Sequence, residues 1–210
     1  MLHYYRDNHG FNLVELLISI SIVFVILTVV ISNQSTYTDS AAITNLADEI
    51  GLTIFQAQTY GIAVKEFSPG SGDFTISYGL TFSLLGSNSG SNTAYISFAD
   101  RNDPPNGIYD GDWTCPIGGS SECLQKINIS RNNILDSICV VRTSGTDLCN
   151  VERVDISFVR PNPKAQLAFR NNGGNPFNPA NIQGARIVLR SPGGLTKSVL
   201  IYETGQISIQ

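Results

Sequence analysis

The chain opens on a polar stretch over residues 1–10. An almost unbroken apolar run follows over 11–32, FNLVELLISISIVFVILTVVIS. As a helix rising about 1.5 Å per residue, that run is long enough to cross a hydrocarbon core of about 30 Å. The helical pattern does not stop there. Ile43, Leu46, Ile50, Ile54 and Ala57 recur at steps of three and four in a stretch without proline, which marks one buried face. A single helix over 11–60 is therefore predicted, with its first half apolar all round and its second half packed on a domain. Gly51 is a candidate bend and Gly61 a candidate C′ cap.

After Gly61 the periodicity changes to two. Short runs with β-branched and aromatic residues predict strands over 63–67, 74–78, 81–84, 94–98, 126–129, 138–142, 151–159, 166–169, 186–189, 198–202 and 206–209. Gly-, Ser- and Asn-rich stretches over 69–72, 86–92 and 171–179 read as surface turns. The expected class is α+β, a long helical spine against an antiparallel sheet. The expected division is a leader over 1–10, an apolar helix half over 11–32 and a single globular domain over 33–210.

The flanks orient the apolar run. Arg6 precedes it, set against Asp7, whereas the far side carries Asp39, Asp48 and Glu49 and has no Lys or Arg before Lys65. Basic residues favour the cytoplasmic side, so a single-pass, N-in membrane protein with an exported domain is expected. The formal net charge is -4 and the Lys and Arg residues form no cluster, so direct nucleic-acid binding is not expected. The two histidines, His3 and His9, both precede the apolar run. A domain without histidine lacks the commonest general base and metal ligand, and no catalytic constellation stands out elsewhere. An enzyme is not expected. Pro192-Gly193-Gly194-Leu195-Thr196-Lys197-Ser198 ends like a phosphate loop, but its glycine spacing is wrong and it reads as a hairpin turn.

Glu15 is the residue that a plain membrane anchor does not explain. A carboxylate inside a span is costly, which makes it a functional candidate by default. His9-Gly10-Phe11-Asn12-Leu13-Val14-Glu15-Leu16-Leu17-Ile18 resembles the processing motif of type IV prepilins and type II secretion pseudopilins. The tail from Ser191-Pro192-Gly193-Gly194 to Ile209-Gln210, and the stretch from Phe55 to Ile62, are similar to minor pseudopilins of the H type. The resemblance implies that a membrane aspartyl peptidase cuts after Gly10 and methylates the new amine of Phe11. It also implies that Glu15 helps subunits dock in assembly, and that an inner-membrane assembly platform is a partner. The chain would reside in the inner membrane, in contact with lipid, before joining other pilin subunits in an extracytoplasmic filament. Asn12 stands where the family more often has Thr, and the leader has one basic residue, Arg6. The functional expectation is a structural subunit, a minor pilin or pseudopilin. The alternative is a binding module for adhesion or DNA uptake displayed on such a filament.

Two features of the domain carry further chemistry. Cys115, Cys123, Cys139 and Cys149 are even in number and lie beyond the apolar run. Two disulfides fit an oxidising compartment; the rivals are a zinc site, for which no C-x-x-C pair exists, and free buried thiols. Proximity along the chain favours Cys115–Cys123 and Cys139–Cys149 among the three possible pairings. Asp100, Asn102, Asn106 and Asp110 place oxygen ligands around the turn residue Gly107, in the manner of a calcium loop. The halves of that loop are two residues too far apart, and Asp112 or Glu122 would have to complete the shell. A merely solvated acidic turn is the other reading.

Overall fold

The computed structural model describes residues 12–63, 76–86, 89–102, 104–116, 121–160 and 162–210. The leader, Phe11, residues 64–67 of the strand expected over 63–67, and residues 74 and 75 lie outside the described residues. The chain divides into two compact units, Met1–Thr38 and Asp39–Gln210.

One helix, α1, runs Leu13–Ile62. Within the second unit its buried face is Ile43, Leu46, Ala47, Ile50, Ile54 and Ala57, which includes every position of the expected stripe. Ile43, Ile50 and Ile54 are almost fully buried, and each such side chain contributes roughly 1.5–3 kcal/mol through removal from water. The helix continues through Gly51, where Ile209 takes the space of a side chain: a Cβ there would lie 3.2 Å from Ile209 Cδ1. Gly61 is not the C′ cap that its position suggested. It lies inside the helix, and a Cβ on it would meet Phe158 Cβ and O at 2.7 Å. Glycine is required here for close packing on a strand, and it carries no positive φ.

Among the described residues ten strands follow: β1 (Ser77–Ser83), β2 (Ala94–Asp100), β3 (Cys123–Asn128), β4 (Ile134–Arg142), β5 (Leu148–Phe158), β6 (Ala165–Asn171), β7 (Pro176–Phe177), β8 (Ile182–Arg190), β9 (Thr196–Tyr202) and β10 (Ile207–Ile209). They form one sheet in the order β10-β9-β8-β4-β5-β1-β2-β3, with β6 and β7 branching from β5. The pairings are antiparallel. The long strand β5 organises the branch. Its first residues pair with β4, as in Ile138↔Val151, and its later ones pair with β1 on one side and β6 on the other.

Two differences from the expected strands have local causes. The strands read over 74–78 and 81–84 are one strand, β1, running through Gly79. Gly79 lies between the two expected strands, yet a Cβ there would clash with the Ile156 carbonyl oxygen of β5 and press on Phe98 Cζ of β2 at 2.7 Å. The glycine lets both neighbouring strands approach closely. The turn expected over 171–179 contains the short β7, because Phe177 pairs with Phe169 and packs against the core. The segment 191–195 is the β8–β9 hairpin turn: Gly194 adopts φ 81° and donates its N–H to Ser191 O at 3.0 Å.

Alternation along the strands creates two apolar layers. Tyr78, Leu80, Phe82, Tyr95, Val154, Ile156 and Phe158 face α1 and form the main core with it. Ile96 and Phe98, on the other face of β2, join Tyr109, Trp113 and Cys123 in a second, separate cluster. This second cluster places residues 104–116 over the outer face of the sheet.

Candidate functional site

The first turn of α1 is built around Asn12. Its Oδ1 accepts the Val14 N–H at 3.4 Å, and its carbonyl accepts Leu16 N–H at 3.2 Å. Asn12 is thus the N-cap, and its side chain satisfies one of the orphan donors of the helix start. Glu15 stands three residues further on, in the first turn, at the position of the acidic partner in a capping box. A negative charge there also complements the positive end of the helix dipole. This capping pattern, Asn-x-x-Glu, was present in the sequence and went unread there.

Glu15 is the only charged side chain between Asn12 and Thr38. Its surroundings are apolar and open: the large hydrophobic side chains from Leu13 to Ile31 are all exposed. By length and composition the helix can cross a membrane. The hydroxyls in this stretch are handled locally. Ser19, Ser21 and Thr28 donate to the carbonyls of Glu15, Leu17 and Phe24, each at 2.8 Å. Such internal bonds make polar side chains tolerable in lipid. Glu15 thereby remains the one charged group of the apolar segment, at its N-terminal end. Gly10 and Phe11, expected from the motif as the cleavage and methylation residues, lie outside the described residues.

The acidic loop is ordered by its own hydrogen bonds. Asp100, fully buried at the end of β2, accepts Gly107 N–H on Oδ2 at 2.6 Å and Asn102 N–H on Oδ1 at 3.0 Å. Gly107 turns the chain at φ 76°. Asn102 and Asn106 both donate from Nδ2 to Asp110 Oδ2, at 3.1 and 2.8 Å. Glu122 then accepts Asp110 N–H on Oε2 at 2.8 Å. Four expected ligands are therefore brought into one loop, with Glu122 rather than Asp112 closing it. Among the described residues, no three His, Cys, Asp or Glu side chains gather as a metal cage. A calcium ion would need the two amides to turn their carbonyl oxygens inward and would recruit backbone oxygens to reach six ligands. Burial pushes the Glu122 carboxyl up, and the charges of Asp100 and Asp110 add to that rise, partly opposed by the Asp110 and Arg101 backbone bonds.

The disulfides are Cys115–Cys123 and Cys139–Cys149, and no cysteine is free. The second joins β4 to β5 at the hairpin where Gly145 adopts φ 88°. The first ties residues 104–116 to β3. Under this segment lies a polar row not anticipated from the sequence. Arg153 donates to Asp155 Oδ1 from Nη2 at 2.8 Å and also donates to the Tyr109 carbonyl. Asp155 is fully buried, and burial raises its carboxyl while the Arg153 charge opposes the rise. The signal was the alternation Arg153, Asp155, Ser157 against Val154, Ile156, Phe158. A polar period in a strand normally means a solvated face, and here another segment covers it.

No family model matches the chain, and neither a curated protein nor a solved structure does.

Proposed function

We propose that the chain is a structural subunit, of the minor pilin or pseudopilin kind, in a type IV pilus or type II secretion pseudopilus. One observation carries the reading: a single carboxylate, Glu15, at the capped start of an exposed apolar helix whose second half is the spine of a disulfide-linked β-sheet domain. A simple anchor needs the apolar residues but not the carboxylate. In this account a prepilin peptidase cuts after Gly10, exposing and methylating the amine of Phe11. Before assembly the helix sits in the inner membrane, N-terminus inside. On assembly Glu15 meets the Phe11 amine of a neighbouring subunit, an attraction strengthened by the low dielectric of packed helices. One buried ion pair selects one axial offset among helices that would otherwise slide along one another. The sheet domain, with its disulfides, then lies on the extracytoplasmic side, where oxidation is permitted.

The test is co-fractionation. In cells with an active prepilin peptidase, the chain should partition with sheared filaments or with an isolated pseudopilus. In cells lacking the peptidase it should remain in the membrane fraction. Equal partition in the two strains would overturn the assembly reading.

A further inference from the structure

Residues 104–116 cover the outer face of the sheet without contributing a strand or a helix. Their apolar anchors, Tyr109 and Trp113, belong to a cluster separate from the main core under α1. Polar ties to the sheet run through side chains: Arg153 to the Tyr109 carbonyl, Lys126 Nζ to the Trp113 carbonyl at 3.0 Å, and Glu122 to Asp110 N–H. A segment held this way loses its conformational entropy on closing and gains few backbone bonds in return. One group beneath it favours opening. Ser157 Oγ is buried without a hydrogen-bond partner, and water reaching it would relieve that cost. Ser157 Oγ lies directly under the turn, 2.8 Å from the place a Cβ on Gly107 would occupy.

The crosslink stands at the end of this segment. Cys115 adopts φ 56°, in the left-handed region that a non-glycine residue enters at a cost, and its partner Cys123 is the first residue of β3. We infer that residues 104–116 are an oxidation-dependent strap. They close over Ile96 and Phe98 once Cys115–Cys123 has formed, and they open on its reduction while the helix-side core stays folded. Closure needs an external disulfide as oxidant. One cysteine thiolate of the pair attacks a sulfur of that disulfide and releases one thiol. The second thiolate then displaces the other thiol, giving the Cys115–Cys123 bond. Two electrons and two protons pass to the external disulfide, which becomes two thiols. In a chain moving from a reducing to an oxidising compartment, strap closure follows export and is distinct from folding of the core. Cys139–Cys149 has a different place, bridging two strands already joined by sheet hydrogen bonds.

The chain has one tryptophan, Trp113, so its fluorescence reports the strap alone. The experiment uses the full chain in detergent micelles and three forms: wild type, Cys115→Ser/Cys123→Ser, and Cys139→Ser/Cys149→Ser. Tryptophan emission, acrylamide quenching and far-ultraviolet circular dichroism are recorded before and after dithiothreitol, and again after oxidised glutathione. The Cys115→Ser/Cys123→Ser form should show red-shifted emission and several-fold stronger quenching with an unchanged far-ultraviolet spectrum. The Cys139→Ser/Cys149→Ser form should match oxidised wild type in emission, open with dithiothreitol and close again with oxidised glutathione. Two results would overturn the inference. One is Trp113 staying protected in the Cys115→Ser/Cys123→Ser form. The other is Trp113 becoming exposed only together with loss of the far-ultraviolet signal, which would make strap and core a single unit.

Discussion

Replacing Glu15 by Gln separates the side chain's place in the capped first turn of α1 from the assembly role proposed for it. As the N3 residue behind the Asn12 cap, Glu15 can support the helix start, and a capping box accepts Gln as well as Glu. What Gln loses locally is the charge facing the helix dipole, worth about 0.3–1 kcal/mol. In the proposed filament, by contrast, Glu15 pairs with a neighbour's Phe11 amine as half of a buried ion pair. Removing one half leaves the other charge uncompensated, at a cost of about 3–5 kcal/mol. At about 1.4 kcal/mol per factor of ten, the capping role predicts less than about a tenfold loss of filament incorporation and the pairing role about a hundredfold or more. The assay compares sheared-filament and membrane fractions for wild type and Glu15→Gln at matched expression, with leader removal followed in both. Insertion and cleavage should be unaffected, and the mutant should accumulate, processed, in the membrane. Glu15→Val should behave the same way, and Glu15→Asp, with its shorter reach, should be intermediate. If Glu15→Gln enters filaments as wild type does, the carboxylate is a capping residue and the assembly role is wrong.

Other outcomes follow from the sheet domain. Gly61→Ala should destabilise it by about 1–2 kcal/mol in thermal or denaturant unfolding, although Ala favours a helix by about 1 kcal/mol, because the new Cβ meets Phe158 at 2.7 Å; a stabilised variant would contradict the packing argument. Burial raises the Glu122 carboxyl above its ordinary 4.5, so the folded state holds that proton more tightly than the unfolded chain does. Its contribution is therefore complete below about pH 4.5 and lost as pH rises through the raised value. The melting temperature of wild type relative to Glu122→Gln should accordingly be higher near pH 4.5 than at pH 7, and a difference independent of pH would rule out a raised carboxyl. For the Asp100–Asp110 loop, melting in chelator is compared with melting in millimolar calcium. A site with a Kd of ~10 μM would gain about 2.7 kcal/mol at ~1 mM calcium, whereas equal melting temperatures would identify the loop as a hydrogen-bonded turn.

What could be read from the sequence follows the range of the forces involved. The buried stripe of α1 was legible because Ile43, Leu46, Ile50, Ile54 and Ala57 pack one face of a regular helix, and periodicity alone reports that. The hairpin turn read over 192–198 was legible because turn chemistry is local. The roles of three glycines were not legible for one reason: Gly51, Gly61 and Gly79 are small because Ile209, Phe158 and, at Gly79, the Ile156 carbonyl and Phe98 need the space, and those neighbours are distant in sequence. The Cys115–Cys123 and Cys139–Cys149 pairs were favoured by short separations, 8 and 10 residues. That residues 104–116 fold over the outer face could not be read, because nothing local distinguishes a covered polar row from a solvated one. The Asn12 cap is local, and Asn-x-x-Glu over 12–15 is legible as a helix start.

Whether this chain is a processed filament subunit is decided by the mass of its N-terminal peptide. Protein isolated from cells with an active prepilin peptidase should yield a mature N-terminus at Phe11 carrying one added methyl group. Protein from the same cells that retains Met1 and an uncleaved Gly10–Phe11 bond would contradict the account.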